Sequence, residues 1–118
     1  LEGEVVQLRS MTEAEQFIKA GIPLVVSVSF KKSQLDGAGY GTNGHLMVVK
    51  GFTSTGDVVV NDPASRLIPS NDAVENTFDR QQFADVWLPT SRSGGIAYVI
   101  HPAGVPLPPH TPGLPANW

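Results

Sequence analysis

The apolar residues of this chain fall into short blocks, and each block predicts one element. Val5 to Leu8 reads as a short strand. In Ser10-Met11-Thr12-Glu13-Ala14-Glu15, Thr12 and Glu15 stand at capping-box spacing, the hydroxyl accepting from a free amide while the carboxylate reaches back. Ala14, Phe17 and Ile18 then mark the buried face of a short helix. Gly21 and Pro23 close it, glycine by tolerating a left-handed backbone and proline by lacking a donor. Leu24 to Phe30, rich in β-branched residues, predicts a strand.

Residues 31–44 form a long glycine-bearing loop, of the kind that often carries function. A hairpin over about 45–61 follows, its apolar arms separated by Thr53-Ser54-Thr55-Gly56-Asp57. Pro63 to Asn76 reads as a polar excursion with Pro69, Ser70, Asn71 and Asp72 as turn formers. Asp79 caps a second helix whose buried stripe is Phe83, Val86 and Trp87. Ile96 to Ile100 is a final strand. Six of the ten prolines lie between Pro102 and Pro115 without an apolar period, which predicts an extended, mobile tail rather than core. The pattern is α+β: an antiparallel sheet with two short helices in one domain, residues 1–101, and a proline-rich tail or linker, 102–118.

Composition narrows the function. A chain of 118 residues is at most one domain, burying roughly two-thirds of its unfolded surface. A net charge of -3 with no basic stripe argues against nucleic acid or an anionic membrane as partner. No apolar run approaches the ~20 residues of a membrane span. The acidic start Leu1-Glu2-Gly3-Glu4 is not a secretory signal, and a first residue other than Met points to cleavage or trimming. Cysteine is absent, which excludes disulfides and thiolate metal sites within these residues. His45, His101 and His110 are too scattered for a familiar zinc spacing, so neither metal nor cofactor is expected.

Gly44-His45 opens one arm of the hairpin and Asn61-Asp62-Pro63 closes the other. Antiparallel pairing that sets His45 directly opposite Asp62 brings the two within ~5 Å at Cβ. A slip of one residue sends them to opposite faces, and a bulge near Gly51 or Gly56 restores the match. A carboxylate at one ring nitrogen fixes the tautomer of a histidine acting as general base. Taken singly, His45 reads as a loop residue and Asn-Asp-Pro as a turn, and only their joint placement sets the site reading on a par with these. Gly39-Tyr40-Gly41-Thr42-Asn43-Gly44 matches a dinucleotide-binding pattern in letters only, because a strand and not a helix follows it.

At Gly44-His45, Leu46 to Phe52 and Val58 to Asp62-Pro63, the chain resembles the papain-like cysteine peptidases, specifically the bacteriocin double-glycine leader peptidases and their relatives. Gly21 to Val26 and Gly94 to Ile100 are similar to flanking segments of that family, so the resemblance covers about 5–100. It implies a papain-like half-domain in which His45 is the general base and Asp62 its orienting partner. Asn43, Gly44 and Tyr40 are candidates for shaping the cleft and contacting a peptide or protein substrate. The family's nucleophilic cysteine and oxyanion glutamine have no counterpart here, since Gln7 and Gln16 do not match. They are expected in a missing N-terminal half of the same domain, which would associate with an exposed apolar face. By itself this chain is expected to be inactive, and the proline-rich tail and low charge suit a secreted or cell-surface bacterial protein.

Two rivals remain. A non-catalytic peptide-binding module would use the same glycine-rich loop. The order His, Asp, Ser with Ser93-Gly94-Gly95 faintly resembles chymotrypsin-like peptidases, but those need two barrels, and Ser91 to Gly95 reads better as a turn. Asp72, Glu75 and Asp79 lack the alternate-ligand spacing of a calcium loop.

Overall fold

A computed structural model describes residues 1–64, 74–91 and 93–118. The strands are β1 (Glu2–Gln7), β2 (Leu24–Phe30), β3 (Thr42–Phe52), β4 (Val58–Asn61), β5 (Glu75–Phe78) and β6 (Ile96–His101), with helices α1 (Met11–Lys19) and α2 (Arg80–Trp87). They form one antiparallel sheet in the order β1-β6-β2-β3-β4-β5, which makes the fold α+β as expected.

Helix α1 begins earlier than the Thr12–Glu15 spacing implies. Ser10 is the N-cap, accepting from the Glu13 amide at 3.2 Å, while Glu13 accepts from the Arg9 amide at 2.7 Å. Serine and glutamate three apart serve both ends of the turn, and Glu15 pairs with Arg80 instead. At the C-terminus Ile22 donates to the Phe17 carbonyl and Gly21 to that of Ile18. This reversal places Gly21 at φ +80, where glycine is favoured. Asp79 caps α2 as expected, accepting from the Gln82 amide at 2.9 Å, and Phe83, Val86 and Trp87 are buried.

Both helices contribute to the core that lies on one face of the sheet: Phe17, Phe83 and Trp87 join Val26, Met47, Val49, Val60 and Val99. The reverse face carries Val5, Leu46, Tyr98 and Ile100, all exposed, in line with alternation along strands covered on one side only.

Strand β5 was not expected. Glu75-Asn76-Thr77-Phe78 offers one buried residue, Phe78, and pairs with β4 at the sheet edge, so its apolar period is too weak to read. The neighbouring turn formers Pro69, Ser70, Asn71 and Asp72 lie outside the described residues.

The proline-rich composition after β6 predicts an extended, mobile tail, and the structure differs. The segment returns to α1: Thr111 and Asn117 donate to the Glu13 carboxylate at 2.7 and 3.1 Å, and the Trp118 ring meets Phe17 edge-on at 5.0 Å. Its anchors are single residues spaced among prolines, which leave no period in the sequence.

Candidate functional site

His45 stands on β3 opposite Val28 of β2, and Asp62 immediately follows β4. They are not directly opposed as the sequence suggested. Val48 faces Asn61 and Val49 faces Val60, so the ladder extended by one residue sets Asp62 against Met47. His45 is then Asp62's diagonal neighbour on the same face, a separation that long side chains span. A bulge produces this register. Nearer the turn Gly51 faces Val59 and Phe52 faces Val58, so Lys50 is the inserted residue. Without that shift Asp62 would lie against Val48, and His45 would project from the other face.

The side chains meet at His45 Nε2···Asp62 Oδ1, 2.8 Å. The Asp62 side chain is 0% exposed and that of His45 25%. Burying a carboxylate is costly unless its oxygens are hydrogen-bonded, and here both are. Oδ1 also accepts from the Ala64 amide at 3.0 Å, and Oδ2 accepts from the Tyr40 hydroxyl at 2.6 Å. The turn reading and the site reading of Asn-Asp-Pro are thus both true of the same side chain.

Tyr40 sits edge-on to His45, ring centroids 5.8 Å apart, and tilts against Phe30 at 5.3 Å. Burial, then the hydrogen bond to Asp62 and its negative charge, hold the phenol well above its ordinary pKa. It therefore stays a proton donor to Asp62 throughout the neutral range.

An ionised carboxylate only accepts, so Nε2 of His45 carries the ring proton and Nδ1 keeps the lone pair. Among the described residues no hydrogen bond reaches Nδ1. The arrangement can take up a proton at Nδ1 and stabilise the resulting imidazolium through Asp62.

Asn43 and Gly44 are exposed at the start of β3. Both border an open depression of about 260 Å³ with Ser27, Ser29, Ser93 and Tyr98, but neither hydrogen-bonds to His45 or Asp62 among the described residues. The structure brings Tyr40, His45 and Asp62 together, whereas the depression that Asn43 and Gly44 border opens toward Ser27 and Tyr98 on the other face of the sheet. The bond from Tyr40 to Asp62 was not foreseen. A tyrosine between two glycines signals a loop contact, and nothing local says which carboxylate it meets. Ser93 makes no hydrogen bond to His45 among the described residues; its amide bonds Ser91 Oγ at 3.1 Å within the turn. Of the three acidic residues near Asn71, Asp72 lies outside the described residues, while Glu75 pairs with Lys50 and Asp79 caps α2.

Residues 3–94 match the model of the Peptidase_C39 like family. The chain belongs to that family. The match takes in α1, the β3–β4 hairpin and α2, so the resemblance to papain-like peptidases read from Gly44-His45 and Asp62-Pro63 holds at the level of family and fold. No curated protein and no solved structure matches this C39-like chain significantly.

Proposed function

We propose that this C39-like domain supplies the general base and its orienting carboxylate to a cysteine-type peptidase site. The observation that carries the reading is the His45–Asp62 pair, with Asp62 fully buried and saturated by Tyr40 and Ala64, and with Nδ1 of His45 unengaged among the described residues. A thiol placed at Nδ1 would be deprotonated by the imidazole, and the thiolate would attack a peptide carbonyl. Since these 118 residues contain no cysteine, the nucleophile comes from another part of the protein or from a partner. The uncovered apolar face with Val5, Leu46, Tyr98 and Ile100 supports such an association. It lies on the face opposite His45, so a partner half must wrap the end of the sheet to reach both.

The test is intact mass of the protein as its own cells make it, with and without a thiol alkylator, followed by peptide hydrolysis. One fast-reacting cysteine, with activity lowered roughly 10²–10⁴-fold by His45→Ala, is the expected result. A species without cysteine removes the peptidase reading. The second reading, a peptide-binding module without catalysis, rests on the absence of cysteine and would then stand.

A further inference from the structure

A second histidine–carboxylate cluster lies at the other end of the sheet. Glu2 and Glu4 alternate on β1, so both point to the same face, and Glu2 pairs directly with His101 of β6. His45 is opposite Val28, whereas β6 runs past Leu24 at the far end of β2, so the two clusters are separate. The His101 side chain is 4% exposed, while those of Glu2 and Glu4 are 58% and 40% exposed.

The hydrogen bonds of His101 are mismatched. Its Nδ1 lies 3.2 Å from the Pro102 carbonyl oxygen, and a carbonyl only accepts, so Nδ1 carries the proton. In the neutral ring Nε2 is then a bare lone pair. That atom is buried and has no hydrogen-bond partner. It faces Glu4 Oε2 at 3.3 Å and Glu2 Oε2 at 3.8 Å. Three electron-rich atoms thus converge on one point, which costs energy unless something positive lies among them.

We propose that Glu2, Glu4 and His101 form a binding site for a divalent transition-metal ion, zinc(II) being the best fit. The three ligand atoms lie within 4.8 Å of one another. Ligand atoms of a tetrahedral zinc ion with bonds of ~2 Å stand about 3.3 Å apart, so small side-chain adjustments close the set. One imidazole with two carboxylates suits zinc rather than magnesium or calcium, which prefer oxygen alone. The Pro102 carbonyl supplies the outer contact that fixes the imidazole tautomer for coordination. The exposed glutamates leave a fourth position open to water. Such an ion would tie the edge strand β1 to β6.

The test is equilibrium dialysis of the whole chain against zinc chloride at neutral pH in a magnesium-containing buffer, with thermal melting alongside. One equivalent of zinc bound and a raised Tm are expected, together with a zinc-dependent shift of the His101 imidazole resonances. Glu4→Gln alone, and Glu2→Gln with Glu4→Gln, should weaken binding at least about tenfold while the apo-protein stays folded. His45→Ala should bind as the unaltered chain does. No uptake, uptake indifferent to the glutamates, or uptake lost in His45→Ala overturns the proposal. A His101 ring carrying protons on both nitrogens in the presence of zinc does so too, because a proton then occupies the place of the ion.

Discussion

Two histidines of this protein face carboxylates on the same sheet, and they are finished in opposite ways. At His45 both carboxylate oxygens have donors: Asp62 is wholly buried yet receives Nε2, the Tyr40 hydroxyl and the Ala64 amide. At His101 the buried ring nitrogen confronts two carboxylates without a donor between them. The first cluster is complete in hydrogen bonding apart from the Nδ1 lone pair, which is the atom the proposed general-base role would use. The second, with a neutral ring, leaves a lone pair and two carboxylates for the proposed ion. A buried polar group, the Asp62 carboxylate in one cluster and the His101 ring in the other, thus shows by its partners whether the protein itself closes the site.

The sharpest way to break this contrast is Asp62→Ala. It strands a half-buried tyrosine hydroxyl and the imidazole N–H, and should cost about 3 kcal/mol of stability by urea unfolding. A loss below about 1 kcal/mol would mean that the buried network contributes little.

Tyr40→Phe probes the same carboxylate more gently. About 1–2 kcal/mol should be lost, as one oxygen of Asp62 goes without its donor. The phenol's pKa is raised in the folded state, so its stabilisation is complete below the ordinary value of about 10 and is lost as pH rises above it. The unaltered chain should weaken there with a slope of at most about 1.4 kcal/mol per pH unit, and Tyr40→Phe should remove that part of the slope.

Glu13 sharpens the comparison with a carboxylate satisfied without histidine. Burial alone would raise its pKa, but the Arg9 amide, Thr111, Asn117 and the Arg9 charge outweigh it and hold the group below its usual range. Its contribution is present above the unfolded value near 4.5 and is lost as pH falls through the folded one. Glu13→Gln should cost on the order of 1 kcal/mol and flatten the acid limb. Tryptophan emission would report release of Trp118 from Phe17.

Glu4→Gln should be the smallest perturbation. Without metal it replaces one of two facing carboxylates by an amide that can donate to Nε2, and should change stability by no more than about 0.5 kcal/mol. A much larger loss would show that the apo-protein already relies on both carboxylates, and the contrast with Asp62 would fail.

Much of the fold was legible because its signals are local. The alternating Leu24 to Phe30 gave a central strand, Asp79 a cap, and Phe83 with Trp87 a buried stripe. Strand β5 was not legible, since an edge strand with one buried residue has little period to display. The same holds for the proline-rich segment, whose docking through Thr111, Asn117 and Trp118 depends on α1 being in place. His45 and Asp62 could be paired from the hairpin pattern, but the direct opposition inferred for them became a diagonal.

By itself the sequence determined the residue types, the order of elements and the hairpin that puts a histidine and an aspartate at its open end, because periodicity and turn chemistry act over a few neighbours. Only the tertiary structure decided the rest. The bulge at Lys50 chose the face that His45 and Asp62 share, the loop carrying Tyr40 folded onto Asp62, and the β1–β6 register brought Glu2 and Glu4 to His101. Register and loop closure join residues far apart in the chain, and their energies come from the whole core rather than from any local pattern.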